Sequence, residues 1–150
     1  TFGGGNHFLF ISQYTFNSRG DLVMSPNRYA GETVRKVTED EVLNISAGKY
    51  AYVAVTNNRY DSTYNGGYAK EDLMLAENNV LKIGNTAVGS WYLYGDNYIY
   101  IEITGGDAAL QGKYYGAVMP AYIESQREGG LTISCLSENG KNTLYLNSLV

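Results

Sequence analysis

The chain has 150 residues, 44% hydrophobic and 17% charged, which fits one domain with an apolar core. One cysteine and one histidine exclude a disulfide framework, a thiolate zinc site and a histidine-rich metal centre. A formal net charge of −4 argues against a nucleic-acid or anionic-membrane partner, since both need clusters of Lys and Arg.

No run approaches the roughly 18 apolar residues of a membrane helix. The start, Thr1-Phe2-Gly3-Gly4-Gly5, lacks the basic region and apolar run of a signal peptide and reads as an internal cut. Fifteen tyrosines among few cations lean towards β-structure and a neutral polar ligand such as a sugar.

Hydrophobicity alternates with period two along most of the chain. Residues 7–16 are aromatic and β-branched. Residues 38–41 (TEDE) look like a helix cap with acidic residues, but no amphipathic stripe follows, so one turn at most is expected. Residues 49–56 alternate with Ala51, Val53 and Val55 on one face, expected to be core, and Tyr50 and Tyr52 on the other. Residues 57–67 (NNRYDSTYNGG) read as a long loop. Short strands follow at 79–83, 90–94, 98–104, 113–119, 131–137 and 142–147, with Gly129-Gly130 and Asn139-Gly140 as punctuation. Close spacing of this kind predicts an all-β fold, a sandwich or an antiparallel barrel.

The turn Gly95-Asp96-Asn97 sets a register. A three-residue loop pairs Tyr94 with Tyr98, Leu93 with Ile99, Tyr92 with Tyr100 and Trp91 with Ile101. One face is then core: Trp91, Leu93, Ile99, Ile101 and Ile103. The other carries Tyr92, Tyr94, Tyr98 and Tyr100. A two-residue loop would mix the faces. Such a tyrosine block can stack on sugar rings. The simpler reading is that it stabilises the sheet or packs under a loop or against another domain. Tyr60, Tyr64 and Tyr68 have no strand pairing to explain them, and Tyr60 and Tyr64 are candidate loop contacts to a sugar.

Residues suited to catalysis are few. Cys135 alternates with Leu131 and Ile133 and should be an inert buried thiol. His7 reads as a strand-face or chain-end residue. None of the 15 acidic residues forms an evident pair for glycoside hydrolysis. Glu39-Asp40-Glu41 lacks the spacing of a calcium loop. No catalytic residue, metal site or cofactor is expected.

Residues 25–32 (SPNRYAGE) read on their own as a structural linker, with Arg28 and Glu32 able to pair and Tyr29 able to anchor a turn. Together with 13–17 (QYTFN) and 20–24 (GDLVM), this run resembles a segment of endo-arabinanases of glycoside hydrolase family 43. There a similar stretch leads out of the catalytic propeller into a C-terminal, lipocalin-like β-barrel. Gly89-Ser90-Trp91, the 95–97 turn, 99–103, Tyr114-Tyr115-Gly116 and 132–137 extend the likeness, which covers residues 12–150. The chain departs from the family pattern at Asp21-Leu22, in place of Trp-Pro, and at 143–146, which lack Trp-Gly.

The resemblance implies a single antiparallel barrel of about eight strands with little or no helix. It divides the chain into a last propeller strand or remnant (1–16), a linker (17–32) and the barrel (33–150). It implies a non-catalytic ancillary module, stabilising a catalytic propeller or binding arabinan or a related pectic polysaccharide, in a secreted enzyme. The family's catalytic acids and its metal-binding histidine lie in the propeller, so no catalytic role carries over. A purely structural inter-domain barrel and a small-ligand barrel are the alternatives.

Overall fold

A computed structural model describes residues 11–44, 49–56, 69–123 and 127–148. Eight antiparallel strands close a barrel: β3 (Lys49–Thr56), β4 (Ala69–Ala76), β5 (Val80–Ile83), β6 (Thr86–Tyr94), β7 (Tyr98–Ile103), β8 (Gly112–Ile123), β9 (Glu128–Ser137) and β10 (Asn142–Ser148). Each strand pairs with the next, and β10 returns to β3, so the barrel has no open edge to manage. Before it, β1 (Tyr14–Phe16) and β2 (Leu22–Met24) form a separate hairpin. The helix α1 (Glu39–Asn44) lies between hairpin and barrel in sequence. The fold is the all-β antiparallel barrel of eight strands that the resemblance implied.

Alternation along the strands fills the barrel interior. Trp91, Ile99, Ile101, Leu131, Ile133 and Leu144 are fully buried there, and Leu93 packs against them. The Trp91 indole N–H donates to the Ala76 carbonyl at 3.0 Å, so its one polar atom is satisfied inside the core. Cys135 is buried in the same cluster, and burial pushes its thiol pKa well up. A thiol reagent is therefore expected to modify Cys135 only as the chain unfolds. Rapid stoichiometric labelling of the native protein would contradict that placement.

Three expectations need correction. In β3, Val53 pairs with Tyr145 and Val55 with Thr143, while Tyr52 pairs with the buried Leu146. Val53 and Val55 thus hold outer-face register positions, the reverse of the expected arrangement. Alternation defines two faces, but only pairing decides which is inner. Gly129-Gly130 does not punctuate a turn but sits inside β9, paired with Tyr122 and Ala121. A Cβ at Gly130 would collide with the Ser148 side chain, so close approach accounts for that glycine. Strand β4, with Lys70, Glu71 and Asp72 in its first half, was not expected at all.

Strand β8 also runs past Pro120, beyond the 113–119 strand expected. Its pairing with β7 ends at Ala117, whereas its pairing with β9 continues to Ile123. Pro120 thus lies where one side of the strand has no ladder, and its missing N–H costs no sheet hydrogen bond.

The helix is longer than the single turn expected. Thr38 and Glu41 cap it reciprocally: the Glu41 N–H donates to Thr38 Oγ1 at 3.2 Å, and the Thr38 N–H donates to the Glu41 carboxylate at 2.9 Å. Val42 is fully buried in the barrel's core cluster. Arg35 reaches Glu41 at 2.7 Å. The Arg35 guanidinium, then the Thr38 N–H, pull the Glu41 carboxyl from 4.5 down to about 2. A depressed carboxyl pKa stabilises the fold above the ordinary value and loses that contribution as pH falls through the folded one. The start of α1 should therefore loosen between pH 4.5 and about 2. Glu41→Gln should remove this part of the acid dependence in a melting series. The change should be small and salt-sensitive because the pair faces solvent.

Candidate functional site

The register expected for the β6–β7 hairpin is the one observed: Tyr94 opposite Tyr98, Leu93 opposite Ile99, Tyr92 opposite Tyr100 and Trp91 opposite Ile101. Gly95 and Asn97 take positive φ, 57° and 64°, which closes the three-residue loop. Tyr92, Tyr94, Tyr98 and Tyr100 consequently share the outer face. Tyr92 and Tyr100 stack at 6.1 Å, and Tyr94 and Tyr98 meet at 5.8 Å.

The row continues onto β8. Tyr115 pairs with Tyr100, and their rings meet at 5.3 Å. Tyr115 was missed because the β7–β8 connection is long and its register cannot be read from a turn. Interplanar angles of 29°, 51° and 62° tilt successive rings out of a common plane. Burial, with the nearby Glu102 charge next, raises the Tyr100 hydroxyl to about 12. Tyr60, Tyr64 and Tyr68 lie outside the described residues, as do His7 and the 57–67 segment.

The tip of the β1–β2 hairpin lies on one end of this row. Ser18 Oγ and the Tyr94 hydroxyl are 2.7 Å apart. The Arg19 guanidinium sits 5.0 Å from the Tyr115 ring centroid and donates to the Glu138 carbonyl at 3.2 Å. Asn17 is the buried peg of the turn. Its side-chain carbonyl accepts from the N–H groups of Arg19 and Asp21, both at 2.9 Å, and its amide donates to the Tyr115 carbonyl at 3.1 Å. At the other end Tyr92 stays 48% exposed; Tyr94 is 39% exposed.

The rest of residues 11–36 follows the same outer wall. β1 runs against β8 and β2 against β9. Beneath them the outward positions of β8 and β9 are Ala117, Met119, Thr132 and Ser134, all buried. Ala117, Thr132 and Ser134 are small, which allows this close approach. Asn27 donates to Asn147 Oδ1 at 2.6 Å, which also accepts from Thr132 at 2.8 Å. The Glu32 carboxylate accepts from the Ala30 N–H at 3.0 Å. Tyr29, expected to anchor a turn, is tied through its backbone: its N–H donates to the Ile11 carbonyl at 2.7 Å, while the residue stays exposed.

Asn97 ties in the later part of this segment. Its side chain accepts from the Val37 N–H and donates to the Arg35 carbonyl, both at 2.7 Å, and its carbonyl accepts from the Val118 N–H at 2.8 Å. Between the 11–15 and 34–36 stretches and β8 lies a cleft of about 680 Å³, bordered by Tyr14, Tyr29, Val34, Tyr98 and Met119. Among the described residues, no three His, Cys, Asp or Glu side chains are grouped to hold a metal.

Comparison with known proteins adds to this geometry. Residues 26–144 match the family GH43_C, described as a C-terminal lipocalin-like domain. Among solved structures, a glycoside hydrolase family 43 protein, YxiA of Bacillus licheniformis, superposes with a TM-score of 0.70 at 25% identity, over 93% of this chain and 28% of that one. The endo-1,5-alpha-L-arabinanase of Thermotoga petrophila RKU-1 superposes with a TM-score of 0.74 at 19% identity, over 94% of this chain and 28% of that one. The chain therefore spans less than a third of the length of these proteins. No curated protein sequence matches it.

Proposed function

The chain belongs to the GH43_C family of C-terminal lipocalin-like domains, and from that membership we propose that it is the non-catalytic ancillary domain of an arabinan-degrading glycoside hydrolase, stabilising the catalytic domain. One observation carries this reading: residues 11–36 are fastened along the barrel's outer wall by Asn17, Asn27 and Asn97. A barrel that grips its lead-in segment in this way passes a fixed orientation to whatever precedes it. The interior, filled by side chains such as Trp91 and Tyr114, favours this role over that of a small-ligand barrel. The enzyme would act outside the cell, where its polymeric substrate lies.

The test compares the full polypeptide with a form lacking this chain. Removal is expected to lower the melting temperature of the catalytic domain, and this chain alone should release no reducing ends from linear arabinan. An unchanged melting temperature, or hydrolysis by this chain alone, overturns the reading.

A second reading, contact with arabinan or a related pectic polysaccharide, is favoured by the exposure of Tyr92 and Tyr94. It expects the chain to be retarded in an arabinan affinity gel, and Tyr92→Ala with Tyr100→Ala to abolish the retardation. Wild-type mobility that is unchanged across pectic polysaccharides removes it.

A further inference from the structure

The β1–β2 hairpin has two faces, and the barrel uses one. Thr15 pairs with Val23, which is 4% exposed beneath the ribbon. The opposite face pairs Tyr14 with Met24 and Phe16 with Leu22. These side chains are 65%, 47%, 52% and 52% exposed, in the order named. Tyr14 and Phe16 meet edge to ring at 6.4 Å, which makes a ridge. The 680 Å³ cleft opens beside it: Tyr14 borders both, and the exposed Ile11 and Val34 line the cleft. Clustered large apolar side chains on a surface mark contact sites. A two-stranded ribbon is only marginally stable by itself, so its outward face depends on the barrel below and on what covers it above.

We propose that this ridge and groove seat the domain preceding the barrel in the full polypeptide, whose surface there is apolar and sends a side chain into the groove. The proposal rests on the ancillary-domain reading and adds the residues that make the joint. Three observations select this occupant over a second copy of the chain. The matched domain begins at residue 26, immediately after β2 ends at Met24, so the hairpin lies on its upstream side. The similar solved chains are more than three times as long, as this chain covers 28% of them. Finally, the face is small. Free association needs about 800 Å² per partner, more than four such side chains provide. A domain tethered by a short linker sits at an effective concentration on the order of millimolar, where a small apolar face is enough.

The experiment places Phe16→Glu with Met24→Glu in the full polypeptide and follows each domain by calorimetry. The expected result is a fall of about 5 °C or more in the melting temperature of the upstream domain, with the barrel's own transition unmoved. Phe16→Ser with Met24→Ser serves as the milder variant should the charged pair disturb the ribbon. It should lower the same transition by a smaller amount and increase proteolytic cutting of 25–36. If both variants leave the upstream transition at the wild-type temperature, the surface is not the joint, although the ancillary role still stands. If deleting the whole chain also leaves that transition unchanged, the ancillary reading fails with it. If this chain alone sediments as a dimer that Phe16→Glu with Met24→Glu dissociates, the occupant is a second copy and the proposal is overturned.

Discussion

Trp91→Ala is expected to cost about 3–5 kcal/mol, a large part of the 5–15 kcal/mol that holds a domain of this size. The indole is fully buried among Ile99, Ile101 and Leu75, and its N–H caps the Ala76 carbonyl at the end of β4. Alanine would leave a cavity at the centre of a closed barrel, where strands paired on both sides cannot collapse into it. Trp91→Phe separates the two contributions. It keeps most of the apolar volume, loses the hydrogen bond and should cost about 1–2 kcal/mol. Urea melts followed by far-UV circular dichroism measure both, since the single tryptophan is itself the residue removed. A loss below about 1 kcal/mol for the alanine variant would show that the ring is not part of a packed interior.

Gly116→Ala should be damaging for the opposite reason. Gly116 faces the interior opposite Cys135 in the longest paired stretch of the barrel. An added Cβ would fall onto the Ser134 carbonyl oxygen and the Cys135 sulfur, with Cys135 Cα 2.8 Å away. Two of these obstacles are backbone atoms and cannot swing aside, so β8 and β9 must part. Overpacking of this kind costs about 1–3 kcal/mol and sometimes more. Gly129→Ala is the control: it lies in the same strand pair with nothing within 4 Å of its Cβ and should be neutral or slightly stabilising. Adding Cys135→Ala to Gly116→Ala should rescue only part of the loss, because the Ser134 carbonyl remains. Full rescue would mean that the sulfur alone fills the space.

The parts legible in the sequence were those set by neighbours along the chain. Gly95-Asp96-Asn97 fixed a hairpin because turn length and alternation together leave one register that keeps Trp91, Ile99 and Ile101 on one side. Cys135 and its neighbours in β9 followed the same alternation into the core. β4 escaped because Lys70-Glu71-Asp72 has no intrinsic strand preference and is held by pairing with β3. The cover on the tyrosine row escaped because Ser18 and Tyr94 are 76 residues apart and no turn connects them.

The amino-acid sequence alone determined that this protein is all-β, that its strands join mainly through short hairpins, that Tyr92, Tyr94, Tyr98 and Tyr100 share one face, and that it resembles a C-terminal lipocalin-like barrel. Only the tertiary structure decided what the tyrosines meet, which register face of β3 lies outward and which side of the N-terminal hairpin remains open. The reason is physical. A period of two is a local property that marks two faces without ranking them. The ranking comes from long-range links, such as the backbone pairing of Val53 with Tyr145 and the hydrogen bond of Asn17 to Tyr115, which exist only once the barrel has closed.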